Sequence, residues 1–149
     1  MTKSNKSTYQ NELDQLIEVV SKLRDPEEGC NWDKEQTFDS LINYTLEEVY
    51  EVIDAIKSKN TNNIIEELGD LLFQIIFYSQ IAKEKKLFDF YEIAKRSKEK
   101  MIRRHPHIFE EKNLSITKDQ LKENWERIKN EEKNIDPSSP IIIDNYKKF

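Results

Sequence analysis

The sequence predicts an all-α protein, and three observations carry that prediction. Its 149 residues include two glycines, Gly29 and Gly69, and four prolines. So few chain breakers disfavour a β-sandwich or barrel, which needs many tight turns, and favour long helices. Apolar residues recur at three- and four-residue steps through most of the chain, the spacing of one helical face. Thr45 with Glu48, Asp89 with Glu92 and Thr117 with Gln120 each have the spacing of a capping box at a helix start.

Tyr9 to Leu23 reads as the first helix, with Leu13, Leu16, Ile17, Val20 and Leu23 on one stripe; residues 1–8 are polar and read as a loose tail. Arg24 to Phe38 contains Pro26, Gly29 and Trp32 and reads as a loop. A helix follows from about Ser40 to Lys57, with Leu46, Val49, Val52, Ile53 and Ile56 on its expected buried side. The Thr45–Glu48 spacing falls inside this run, so a break near Asn43–Thr45 is open. Lys59 to Asn63 is a polar turn.

From about Ile64 to Lys85, Leu68, Leu71, Leu72, Ile75, Ile76, Phe77, Tyr78 and Ile81 cover most of a helical circumference, which predicts a buried helix. Gly69 inside it costs about 1 kcal/mol relative to Ala and suggests close approach of a neighbouring helix or ligand. A helix over Tyr91–Arg104 closes before Pro106, residues 107–113 form a loop, and a last helix runs over Lys118–Lys133. The expected domain is 9–133. The 134–149 tail, with Pro137, Pro140 and the apolar Ile141–Ile143, is a candidate for docking on the domain or a partner.

Composition narrows the function. The length suits one domain with a core, and 36% apolar residues concentrated in segments argue against disorder throughout. A net charge of −5 disfavours binding to a nucleic-acid polymer along a broad surface. A small phosphate-bearing ligand needs only a local basic cluster or a metal ion. Cys30 is the sole cysteine, which excludes an internal disulfide and a cysteine-based zinc site; it reads as a packed thiol. The first residues lack the apolar region of a signal peptide, and no run is long enough to span a membrane, so the expected compartment is the cytoplasm.

The residues that carry chemistry are acids. Glu48 and Glu51 are three apart on one helix, Glu67 and Asp70 three apart on the next, and Gln74 extends the second row by a turn. A short turn between the helices makes them antiparallel neighbours, so the pairs can meet. Carboxylates held together without a counter-charge are costly, and a hard cation with oxygen ligands is the natural one. A solvated acidic face is the alternative. Glu47 and Glu66, beside the principal acids, either support them or point to water.

These residues resemble a known family. Glu47-Glu48-Val49-Tyr50-Glu51, followed by Glu67-Leu68-Gly69-Asp70, is similar to the EExxE…ExxD signature of MazG-type nucleoside triphosphate pyrophosphohydrolases. Leu23–Thr37, Tyr44–Ala55, Glu66–Gln74 and Arg103–Phe109 also look like stretches of that family, and the resemblance covers about residues 10–133, with Asn31 where the family usually carries Pro. It implies a bundle of about four or five helices, dimeric, acting on NTPs or dNTPs. Cleavage would fall between the α- and β-phosphates, releasing pyrophosphate, in nucleotide-pool housecleaning. It implies Mg²⁺, with Mn²⁺ as substitute, on Glu48, Glu51, Glu67 and Asp70. The family's K-x-x-x-R and W-x-x-x-K patterns fall on Lys100 with Arg104 and on Trp125 with Lys129. They imply phosphate contacts for Lys100, Arg104 and Lys129, and base or ribose packing for Trp125; Arg103 stands beside them.

Other roles are open for these groups. The basic run at 100–104 would complement a helix dipole without any ligand, and Trp125 would serve as a core anchor beside Leu121 and Ile128. Trp32 reads as structural, with Trp32 and Lys34 also within possible reach of a ligand. His105 and His107 flank Pro106 and read as a helix stop rather than a metal pair. The competing function is a non-catalytic helical dimer that binds a nucleotide or protein.

Overall fold

The computed structural model describes residues 3–135, with side chains from residue 11 to 134. The expectations for the 134–149 tail fall, from Asp136 on, outside the described residues. Every regular element among them is helical: α1 Lys3–Leu23, α2 Asn31–Glu35, α3 Phe38–Ser58, α4 Thr61–Glu84, α5 Phe90–Arg104, α6 Pro106–Phe109 and α7 Lys118–Ile135. None is long and apolar enough to cross a membrane. The all-α expectation is met with five long helices and two short ones. α1 begins at Lys3, so the helix takes in residues read as a loose tail, and the loop expected over 24–38 contains α2. The chain divides between Ile93 and Ala94, inside α5, into two compact units.

The first unit packs α4 against α1 and α3. Val20 of α1, Leu41 of α3 and Ile76, Phe77 and Ile81 of α4 form its core, flanked by Leu13, Leu16, Leu72, Phe73 and others. Each such side chain contributes about 1.5–3 kcal/mol by leaving water. α3 starts earlier than expected because its N-terminus is capped at Thr37. Thr37 Oγ1 accepts from the Ser40 N–H at 3.1 Å, and Ser40 Oγ accepts from the Thr37 N–H at 2.8 Å. Thr45 is therefore not a cap, and α3 has no break. The Thr45 hydroxyl lies 3.0 Å from Leu41 O, 3.1 Å from Gln74 Oε1 and 2.5 Å from Tyr78 Oη. These bonds fasten the interior of α3 to α4.

The connection between α3 and α4 is tighter than the expected 59–63 turn. Lys59 adopts the left-handed conformation, with φ 56° and ψ 21°. Asn60 then caps α4 through its side chain, which accepts from the Asn63 N–H at 3.2 Å. Two residues thus reverse the chain.

One expectation fails. Leu46 (53% exposed), Val49, Ile53 and Ile56 were expected to be buried, yet they face outward, and the buried residues of α3 are Leu41 and Ala55. α4 is likewise not buried all round, with Ile65 64% and Leu68 48% exposed. Gly69 is open as well, since a Cβ there would meet nothing within 4 Å. Periodicity identified the apolar faces, but the single chain supplies neighbours for only part of them.

In the second unit, α7 opens with the expected box: Thr117 Oγ1 accepts from the Gln120 N–H at 3.2 Å and Gln120 Oε1 from the Thr117 N–H at 3.0 Å. In the first unit, Asp89 caps the start of α5, its side chain accepting from the Glu92 N–H at 2.9 Å. Pro106 ends α5 and opens the short α6, in place of an uninterrupted loop.

Candidate metal centre

α3 and α4 bring three carboxylates together. One oxygen from each of Glu48, Glu67 and Asp70 lies within 4.8 Å of the others. Glu48 Oε2 and Glu67 Oε2 are buried and accept no hydrogen bond. Burial raises the Glu48 pKa, and the charges of Glu51, Asp70, Glu67 and Glu47 raise it further. Glu67 is raised by desolvation and by Glu51, through both charge and a shared hydrogen bond, then by Asp70 and Glu66. Glu51 is not one of the three clustered acids, and it is exposed.

Two unpartnered buried oxygens in an uncompensated acidic cluster suit a divalent cation, which takes carboxylate oxygens and cancels the repulsion. The argument from a wholly buried α4 needs correcting, because Asp70 is exposed and Glu67 half-buried. The orphaned oxygens carry it instead. Gln74 is no extension of the acidic row: it is buried and tied to Thr45. Glu47 and Glu66 point to water and act on Glu48 and Glu67 through charge.

The basic residues lie in the second unit. Arg103 Nε donates to Glu132 Oε1 at 2.8 Å, and Arg104 Nη2 to Glu132 Oε2 at 2.9 Å. Arg104 also lies over the Trp125 ring, 5.0 Å from its centroid, and the His105 ring meets the same indole edge-on at 5.5 Å. Both arginines thus already have a carboxylate, which holds the Glu132 pKa below its ordinary value, Arg104 having the larger effect. Trp125 and Lys129 are half-buried, the latter 3.8 Å from Glu126, while Lys100 is exposed.

Two features were missed in the sequence. Glu132 sits in a charged stretch that gives no sign of its partners. The 24–36 segment is a built structure. Asp25 Oδ1 accepts from the Glu27 and Glu28 N–H groups at 2.9 Å, the Gly29 N–H donates to Asp25 O, and a Cβ on Gly29 would come within 2.5 Å of backbone oxygens. Cys30, expected to be packed, is exposed because it occupies the N-cap position of α2 at the surface.

The described residues define an all-helical protein with a cluster of carboxylates between two successive helices. A family model for the MazG nucleotide pyrophosphohydrolase domain matches residues 36–109, the stretch from just before α3 to α6. The nucleoside triphosphate pyrophosphohydrolase of Escherichia coli (strain K12) is 48% identical over 123 residues, which cover 83% of this chain and 46% of that protein. The nucleoside triphosphate pyrophosphohydrolase/pyrophosphatase MazG of Thermotoga maritima is 43% identical over 129 residues, covering 87% of this chain and 48% of that protein. A crystal structure of a mazG-related protein from Thermotoga maritima superposes with a TM-score of 0.64 at 24% identity, covering 78% of this chain and 98% of that one, a likeness of fold. The chain belongs to the MazG family. It spans about half the length of the two sequence relatives.

Proposed function

We propose that this chain hydrolyses nucleoside triphosphates between the α- and β-phosphates, giving a nucleoside monophosphate and pyrophosphate. The observation that carries this reading is the trio Glu48, Glu67 and Asp70 with its two buried, unpartnered oxygens. Glu48, Glu67 and Asp70 would hold Mg²⁺, or Mn²⁺ in its place, with Glu51, one turn on from Glu48, as the fourth ligand. A divalent ion there neutralises phosphate oxygens and lowers the pKa of a bound water. The acids hold and orient it, and their repulsion ends when it binds.

Lys100, Lys129, Arg103 and Arg104 are the proposed phosphate contacts. The two arginines reach a phosphate only by exchanging Glu132 for it, so their part depends on that pair opening. Trp125 packs on the base or ribose. A second copy of the chain covers Leu46, Ile53, Ile56, Ile65 and Leu68, which gives a homodimer. The compartment is the cytoplasm, where nucleotide pools lie.

The test is a panel of NTPs and dNTPs, canonical and modified, assayed for pyrophosphate and orthophosphate with and without Mg²⁺. Pyrophosphate that appears only with the metal is the expected result. Orthophosphate as primary product overturns the α–β assignment. Nucleotide-induced stabilisation without any product would favour a binding protein over an enzyme.

A further inference from the structure

The acids lie in the thinly packed part of the α3–α4 hairpin. The fully buried residues of α3 are Leu41 and Ala55, with none between them, and α4 has none ahead of Gln74. Glu48, Glu67 and Asp70 fall inside that stretch. Leu46 and Val49 near Glu48, and Leu68 beside Glu67, are exposed. Like charges push the two helices apart, and within one chain little apolar packing opposes them there.

What opposes them is polar. Thr45 stands one helical turn before Glu48 on α3, and Gln74 one turn after Asp70 on α4. The Thr45 hydroxyl lies 3.1 Å from Gln74 Oε1, 2.5 Å from Tyr78 Oη and 3.0 Å from Leu41 O. When Thr45 gives its one proton to Gln74, Tyr78 donates to Thr45 in turn. Gln74 is buried, and the Tyr78 ring stacks on Phe38 with centroids 6.0 Å apart and planes at 18°, so both partners are held in place. At the other end of the acidic stretch, the turn at Lys59 and Asn60 joins the helices through the backbone. The repelling carboxylates are thus held between two fixed points. Apolar surfaces slide on one another at little cost, whereas directional hydrogen bonds fix a position.

We infer that Thr45, Gln74 and Tyr78 are positioning residues that hold the acids of α3 and α4 at the spacing a small ion needs, and so favour Mg²⁺ over Ca²⁺. The inference rests on the metal site of the proposed function and adds what sets its choice of ion. Mg²⁺ takes oxygens at about 2.0–2.1 Å in strict octahedral geometry, and Ca²⁺ takes them at about 2.3–2.6 Å in looser arrangements. Acids that spread apart therefore lose Mg²⁺ first.

The test titrates Mg²⁺ alone and Ca²⁺ alone into wild type, Thr45→Val, Thr45→Ser and Tyr78→Phe, read by calorimetry. Thr45→Val keeps the side-chain shape and removes the hydroxyl. It should weaken Mg²⁺ binding by about tenfold and Ca²⁺ binding far less. Thr45→Ser, which keeps a hydroxyl, should hold the Mg²⁺-to-Ca²⁺ affinity ratio at the wild-type value, and Tyr78→Phe should fall between. Where Thr45→Val does not fold, Tyr78→Phe carries the same comparison. A network that only stabilises the fold would lower the melting temperature and leave the ratio alone, and that result overturns the inference. The spacing is also read without metal, from nitroxide labels placed by Asn43→Cys and Lys83→Cys in a Cys30→Ser background, both labelled sites being exposed. Thr45→Val should broaden the distance distribution between the labels, and Thr45→Ser should not. If wild type binds neither ion while Thr45→Val broadens the distances, the metal reading falls and the spacing role stands. If wild type binds Mg²⁺ and Thr45→Val alters neither the ratio nor the distances, the spacing role falls alone.

Discussion

Two carboxylate sites in this chain are built on opposite terms. Glu132 receives both Arg103 and Arg104, and its pKa is held below the ordinary value. Glu48 and Glu67 face other acids, leave one buried oxygen each without a donor, and are held above it. A partly buried carboxylate with paired cations stabilises a fold, whereas a cluster of carboxylates without any weakens it. The difference separates a structural clasp from a site kept ready for a ligand of opposite charge. A residue that destabilises the free chain and stays in place is explained by what it binds.

The strongest way to break this contrast is to neutralise each side in turn. Glu48→Gln and Asp70→Asn should each lower pyrophosphate release by at least about a hundredfold, since each removes a ligand. The same changes should raise the melting temperature of the metal-free protein, because they relieve repulsion. Activity lost together with stability would make the acids structural.

Next in size is the response to metal. Mg²⁺ at about a hundred times its Kd should stabilise wild type by roughly 2.7 kcal/mol in a denaturant titration. Asp70→Asn should show little of this gain. A gain equal to wild type would place the ion elsewhere.

Glu132→Gln should do the reverse of Glu48→Gln and cost roughly 2 kcal/mol of stability, by leaving two arginines without their carboxylate. The pH dependence carries the same signs. For Glu48 and Glu67, with raised values, the metal-free fold gains stability as pH falls from neutral through those values toward the ordinary Glu value of 4.5. For Glu132, with a lowered value, stability is complete above 4.5 and is lost as pH falls through the lower folded value. Thermal melts across pH should therefore rise and then fall on acidification. Bound Mg²⁺ should flatten the first limb and Glu132→Gln the second.

The smallest effect concerns the open face beside the acids. Gly69→Ala adds a methyl where nothing lies within 4 Å and should stabilise α4 by about 1 kcal/mol. A loss of stability instead, with a change in sedimentation, would show a second copy packed against that face.

What the sequence revealed follows the range of the interactions. The Asp89 and Thr117 caps span three residues, and their spacing alone located two helix starts. Glu48, Glu67 and Asp70 were legible because helical spacing aligns each row and a short turn brings the rows together. Thr37–Ser40 escaped because a serine stood in the place of the usual Glu or Gln. The Arg24–Glu84 pair joins residues sixty positions apart, and Glu132 meets the arginines from another helix, so neither leaves a periodic trace. Leu46 and Leu68 show the remaining limit, because an apolar stripe records that a face avoids water without recording what covers it.

The reversal at Lys59 and Asn60 bears on how the molecule assembles. The principal acids fall between residues 48 and 70, on two helices joined by a single tight turn. Contacts that close so short a loop form early, ahead of pairings between distant segments. The like charges oppose that closure, so the hairpin that builds the site is also the step they slow. A divalent ion present during folding would act first as an accelerator of chain collapse, before there is any substrate for it to meet.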